Sequence, residues 1–197
     1  MPRTLLFFVI SLLLTNHALA DQAKAYFAGG CFWCMESDFE KLPGVTDVVS
    51  GFTGGSYPNP TYKGRHDGHY EAVLITYDPS VIDYQGILDH FWVNIDPFDP
   101  YGQFCDKGHE YLAAIFVGND AERELAEKSK KKVIEMFPGQ AVVMPILPRT
   151  TFFPIKGSEE YHQDFYKKSP IRYNYYRYGC GRDRRLKDIW GDLATVD

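Results

Sequence analysis

A pair of glycines opening onto a cysteine restricts the fold of this 197-residue chain more than any other feature. Lys24 to Ala28 reads as a short strand, Gly29-Gly30 interrupts it, and Cys31-Phe32-Trp33-Cys34 begins an apolar pattern that suits a helix to Lys41, stopped at Pro43-Gly44. Strand, glycine turn and helix in that order place Cys31 at a helix N-terminus, beside unpaired backbone N–H groups and the positive end of the dipole. Such a position is expected to bring its pKa below the usual value of about 8.5. Cys34 lies one helical turn on, near enough for a disulfide with Cys31. Phe32 and Trp33 are adjacent and cannot face the same side, so at least one should line the space above Cys31.

The rest of the chain alternates. Val45 to Phe52 and Tyr70 to Tyr77 read as strands, Asp83 to Asn94 as a helix, Tyr111 to Val117 as a strand, and Asn119 to Phe137 as a helix capped by Asn119. Ala141 to Leu147 reads as a last strand. A short helix opens at Ser158 and ends before Pro170, and a final one covers Asp183 to Trp190. Two loops rich in Gly, Pro, Asn and Asp, 53–68 and 95–110, are longer than mere connections need to be. The expected fold class is α+β: a two-layer α/β sandwich, a ferredoxin-like core with long active-site loops gathered over one sheet edge.

The first twenty residues stand apart. Arg3 gives a basic start, Leu5 to Leu14 is almost unbroken apolar sequence, and Ala18-Leu19-Ala20 supplies the small residues a signal peptidase reads. Residues 1–20 are therefore expected to be a cleaved signal peptide, and 21–197 a single catalytic domain. The apolar run is short for a membrane span. Export to the periplasm is the expectation, with secretion as the alternative. The formal net charge is −5, and the leader carries a cation but no acid, so the basic footprint of a nucleic-acid binder is absent. The cluster Arg182, Arg184, Arg185 and Lys187 reads as a solvated helix face.

Four cysteines, Cys31, Cys34, Cys105 and Cys180, allow three full pairings, and an oxidising compartment permits any of them. A zinc site is a weak reading, because Cys105 and Cys180 lack ligand spacing. The Cys31–Cys34 spacing also fits a general thiol-disulfide oxidoreductase, although Phe32-Trp33 between the cysteines and the order of elements are unlike thioredoxin. A non-catalytic domain with an aromatic groove is a third reading.

The stretch Gly30-Cys31-Phe32-Trp33, then Pro43-Gly44-Val45, Gly54-Gly55, Asn59-Pro60-Thr61-Tyr62, Gly68-His69, Glu71, Phe91-Trp92, Tyr111 and Tyr161-His162-Gln163 resembles the peptide methionine (S)-S-oxide reductase family in the family's order, from about residue 26 to 170. The resemblance implies that Cys31 attacks the sulfoxide sulfur and that Phe32 and Trp33 form the pocket for the substrate's terminal methyl. It implies that a protonated Glu71 and the hydroxyls of Tyr62 and Tyr111 hydrogen-bond the sulfoxide oxygen, and that Asp106 helps fix the site. His69 and His162 read as structural hydrogen-bonders. Attack would leave a sulfenic acid on Cys31, which a second thiol condenses to a disulfide. Cys34 is favoured as that resolving cysteine on proximity. Cys180, flanked by Gly179 and Gly181, is the rival, and a structural Cys105–Cys180 bridge stays open. The implied substrates are oxidised proteins or peptides and free methionine sulfoxide. No bound cofactor or metal is implied; the reductant is an external thioredoxin-like dithiol, and the protein is expected to be a monomer.

Overall fold

The computed structural model describes Gln22 to Ala194, so the predicted leader lies outside the described residues. In chain order the elements are β1 (Ala23–Gly29), α1 (Phe32–Glu40), β2 (Val45–Thr53), β3 (Tyr70–Tyr77), α2 (Tyr84–Val93), β4 (Gly102–Gln103), β5 (Asp106–Lys107), β6 (Ala113–Val117) and α3 (Asp120–Met136). β7 (Ile146–Pro148), β8 (Phe153–Pro154), α4 (Phe165–Lys168), α5 (Pro170–Cys180) and α6 (Arg182–Trp190) complete the described chain. The main sheet runs β7-β6-β1-β3-β2-β8, and every pairing is antiparallel except β6 with β7. Its centre, β6-β1-β3-β2 with α1 and α2 as the crossovers, is the expected ferredoxin-like core.

Strand alternation sorts side chains between the two faces. Ala25 and Phe27 of β1, Val73, Ile75 and Tyr77 of β3, and Ala113, Ile115 and Val117 of β6 join one apolar cluster with Phe32, Met35 and Phe39 of α1 and Ile87, Leu88 and Phe91 of α2. Phe27 is at its centre, with ring centroids 4.7 Å from Phe91 and 5.8 Å from Phe39. The even residues Ala28, Tyr70, Ala72, Ala114 and Phe116 cluster on the other face. Caps set the helix starts: Asn119, as the sequence predicts, accepts from the Glu122 N–H at 2.9 Å, and Asp83 accepts from the Gly86 N–H at 2.8 Å.

The departures lie mostly in the second half. The strand expected from Tyr111 begins at Ala113, because His109–Tyr111 forms a 3-10 turn. The strand expected over 141–147 contracts to Ile146–Pro148, since Pro145 has no N–H to give a ladder. The helix opening at Ser158 is a 3-10 segment, Gly157–His162, separated from α4 by Asp164 at a left-handed φ of 54°. A whole helix, α5, was not predicted. Pro170, read as a stop, is its first residue, where the missing proline N–H costs nothing. The solvated reading of the C-terminal cations fails for Arg182, which is 1% exposed.

These C-terminal helices lie against the side of α1 that the sheet leaves open. Asp38 of α1 meets Arg177 of α5 at 2.7 Å and Arg182 of α6 at 3.3 Å, all three buried. Helix α1 is consequently buried nearly all round, including Glu36, Ser37 and Asp38. Among the described residues no helix is long and apolar enough to cross a membrane.

Candidate active site

Gly30 turns the chain from β1 into α1 at a φ of 83°, and a Cβ there would come within 2.6 Å of the Gln103 side chain. The turn thus needs glycine twice, for its backbone and for loop 95–110 resting on it. That loop is secured by Gln103, whose side-chain amide accepts from the Asp96 N–H at 2.8 Å and donates to the Asp96 carbonyl at 2.7 Å. Cys31 is the N-cap residue of α1, and its carbonyl accepts from the N–H groups of Cys34 at 3.1 Å and Met35 at 3.3 Å. Both Cys31 and Cys34 are free thiols, 7% and 2% exposed.

The two buried sulfurs act on each other's ionisation. Burial pushes Cys31 well above its usual value, and its hydrogen bond to Cys34 adds to this. The depression expected at the helix start is overturned, because desolvation of a thiolate outweighs the dipole of a nine-residue helix. Cys34 is the sulfur held low. The hydrogen bond it receives from Cys31 lowers it against its own burial, helped by the cations Arg182 and Arg177.

Glu71 has the same parity on β3 as Val73 and Ile75, which points it at the helix layer. Its carboxylate accepts from the Phe32 N–H at 3.1 Å, at the first turn of α1. Burial pushes this carboxyl, 3% exposed, well above the usual range in spite of that hydrogen bond; Asp106 and Glu110 push it further. Tyr62 and Tyr111 are half-buried. Burial lifts Tyr62 to about 12 and raises Tyr111 as well, with Glu71 the next cause in both cases and Cys31 and Asp106 also contributing. Cys31, Glu71, Tyr62, Tyr111 and Asp106 thus lie near enough to act on one another's ionisation.

Tyr62 is anchored from below. Its N–H and that of Lys63 donate to the two oxygens of Glu159 at 2.8 and 2.9 Å. His69 accepts from the Gly55 N–H at 3.3 Å and pairs with the Tyr57 carbonyl at 2.8 Å, pinning loop 53–68 as a structural residue would. Phe32 is buried, with ring centroids 6.0 Å from Tyr62 and 5.6 Å from His162. Trp33 stacks on Phe165 at 3.8 Å and donates its indole N–H to His162 Nδ1 at 2.9 Å. That bond leaves the ring proton on Nε2 of a neutral imidazole, and burial lowers the His162 pKa to about 4.

Asp106 accepts a hydrogen bond from the Tyr176 hydroxyl of α5, a residue the sequence reading passed over. Its neighbour Cys105 is disulfide-bonded to Cys180, so Cys180 is joined to Cys105 and Cys34 is the thiol beside Cys31. Arg182 reaches under the site and donates to the Gly29 carbonyl at 3.2 Å and the Asn94 carbonyl at 2.6 Å. Two groups among the described residues have ligand-type atoms close together. The sulfurs beside Asp106 are already bonded to each other, and Lys167 crosses the Glu36–Glu40–Asp164 group, 2.6 Å from Glu40 and 2.9 Å from Asp164.

A buried dithiol, a buried carboxyl raised above its usual range and two half-buried phenols make an arrangement chemically able to pass protons to an oxygen beside an attacking sulfur. Comparison with known proteins agrees. Residues 23–194 match the family model described as peptide methionine sulfoxide reductase. The chain is 49% identical over 172 residues to peptide methionine sulfoxide reductase MsrA of Bacillus licheniformis, covering 85% of this chain and 93% of that one. It is 48% identical over 170 residues to MsrA 2 of Caulobacter vibrioides, covering 85% of each. Among solved structures it is similar to reduced Mxr1 of Saccharomyces cerevisiae, with a TM-score of 0.67, 26% identity, and 76% and 86% of the two chains covered. The same yeast protein solved in complex with Trx2 matches at 19% identity and a TM-score of 0.52, a likeness of fold. The chain belongs to the peptide methionine sulfoxide reductase family.

Proposed function

We propose that the protein reduces the S epimer of methionine sulfoxide, free or in oxidised proteins and peptides, by attack of the Cys31 sulfur. The observation that carries this reading is Glu71: a buried carboxyl, raised above the usual range, on the helix face of β3 and bonded to the first turn of α1. A sulfoxide oxygen leaves poorly until it receives a proton, and a neutral acid flanked by two phenols is suited to deliver one.

In the reactive form the pair has lost one proton, and the hydrogen bond between Cys31 and Cys34 carries the one that remains. Cys34 takes the Cys31 proton, and the Cys31 thiolate attacks the substrate sulfur while Glu71 gives its proton to the oxygen. Tyr62 and Tyr111 hydrogen-bond that oxygen, with the substrate methyl against Phe32 and Trp33. The oxygen passes to Cys31 as a sulfenic acid, the thioether of methionine departs, and Glu71 is left ionised. The Cys34 thiol then attacks the sulfenic sulfur, water leaves, and a Cys31–Cys34 disulfide forms. An external thioredoxin-like dithiol returns the pair to thiols and is itself oxidised. Cys34 is the resolving residue in this cycle because it is the thiol paired with Cys31, whereas Cys180 is joined to Cys105.

The leader pattern in residues 1–20 supports export, with the periplasm as the proposed site of action and secretion as the alternative. The test is an assay with separated S and R sulfoxides. The S epimer should be consumed and the R epimer left, and Cys31→Ser should reduce neither. Equal use of both epimers would overturn the stereochemical reading, and residual turnover by Cys31→Ser would overturn the nucleophile.

A further inference from the structure

We infer that Tyr176 of α5 is a hydrogen-bond donor to the Cys31 sulfur, and that the Cys105–Cys180 disulfide is the clasp that keeps it there. The inference rests on Cys31 being the attacking sulfur and adds a group to its surroundings that neither the motifs nor the two oxygen-facing phenols supply. Tyr176 packs edge-on against Trp33, with ring centroids 5.6 Å apart, which brings its hydroxyl to the start of α1. The hydroxyl donates to the Asp106 carboxyl, and it lies near enough to the Cys31 sulfur for each to act on the other's ionisation.

The placement of the disulfide gives it a purpose beyond general stability. Cys105 directly precedes Asp106, and Cys180 follows Tyr176 by about one helical turn. The S–S bond therefore ties together the two pieces of chain whose side chains form the Asp106–Tyr176 hydrogen bond. Those residues are 70 apart in sequence. From the opposite side Arg177, the next residue of α5, is locked to Asp38 of α1 at 2.7 Å. Tyr176 is thus held between a covalent link to the loop and a buried ion pair to the nucleophile's own helix.

A phenol has one proton and here two acceptors. Burial pushes the Asp106 carboxyl up. When protonated, Asp106 donates to the phenol oxygen and the phenol proton turns to sulfur. A hydrogen bond given to a thiolate favours it over the thiol, and Tyr176 indeed acts downward on Cys31, against burial. Tyr62 and Tyr111 serve the oxygen that leaves; Tyr176 serves the sulfur that attacks.

The test reads Cys31 ionisation without any sulfoxide. In the full chain without its leader and carrying Cys34→Ser, Cys31 is the one free thiol, and its alkylation by iodoacetamide is followed across pH by peptide mass spectrometry. Adding Tyr176→Phe, which keeps the ring against Trp33, should move the midpoint up by about one pH unit, on the order of tenfold slower alkylation below it. Replacing Cys105 and Cys180 together by serine should move it the same way by less, and Tyr176→Phe should then add little. An unmoved midpoint with Tyr176→Phe overturns the donor role, and two fully additive shifts overturn the clasp. If Tyr176→Phe does not fold, the serine pair, with the tyrosine in place, still decides: an unmoved midpoint overturns the inference. Parallel activity assays separate the two proposals. A shift without sulfoxide reduction would sink the proposed function alone, and turnover with an unmoved profile would sink this inference alone.

Discussion

Cys31 and Cys34 lie three residues apart, are almost completely buried, and remain thiols; Cys105 and Cys180 lie 75 residues apart, reach the surface, and are bonded. The near pair sits on one helix turn above two buried guanidinium groups, where the protein decides how a proton is shared between two sulfurs. The far pair closes a long loop, a constraint on the unfolded chain worth about 4 kcal/mol. The contrast teaches that the chemistry of a cysteine pair follows from what surrounds it, while spacing fixes only whether a meeting is cheap. In the proposed cycle one pair serves turnover and the other holds the tail on the site.

The comparison breaks most sharply at Cys34. A Cys34→Ser protein is expected to release one methionine per enzyme and then stall with a thioredoxin-like dithiol, whereas the Cys105→Ser/Cys180→Ser protein keeps turning over. Burst and steady-state product counts distinguish them, and continued turnover without Cys34 would hand the resolving role to the other pair. Next in size is Asp38→Ala, which leaves Arg177 and Arg182 buried without their shared carboxylate. It should cost about 3–5 kcal/mol by chemical denaturation. Loss of the Cys105–Cys180 bridge should cost about 2–4 kcal/mol in the same measurement. A bridge worth more than the Asp38 contacts would reverse the ranking of what holds the tail.

The smallest effect concerns Glu36, buried on the far side of α1, where burial lifts the carboxyl from its usual 4.5 to about 8. The folded state keeps a proton that the unfolded chain has released, so stability should fall as pH rises between those two values. Glu36→Gln should flatten that slope in a series of melting curves. An unchanged slope would place its origin elsewhere.

How far the sequence could be read follows the range of the interactions. The glycine turn and the position of Cys31 rest on neighbours within a few residues, through turn chemistry; Glu71 is legible through the family resemblance, and strand parity with Val73 and Ile75 explains the side of the sheet it takes. The ferredoxin-like core was legible for the same reason. Helix α5 was not. Ile171, Tyr175 and Tyr178 remain exposed on it while Tyr173 and Arg177 are buried, so it presents no apolar face of the usual kind. Arg182 looked like a surface cation because its acceptors, Asp38, Gly29 and Asn94, are 88 residues or more away along the chain. The misjudged direction of Cys31 has the same origin, since the helix start is visible locally and the burial is not. The pairing of Tyr176 with Asp106 had one faint signal, the glycine-flanked cysteine a turn beyond it.

The central claim is that a neutral Glu71 hands its proton to the oxygen while Cys31 attacks, and the pH dependence of kcat/KM for the S sulfoxide, in the native protein and in Glu71→Gln, tests it most directly. The native profile should lose activity as pH rises through the raised pKa of Glu71, and the isosteric amide, unable to give up a proton, should lose about 10²–10⁴-fold together with that limb. A Glu71→Gln protein with native rate and native profile would contradict the account.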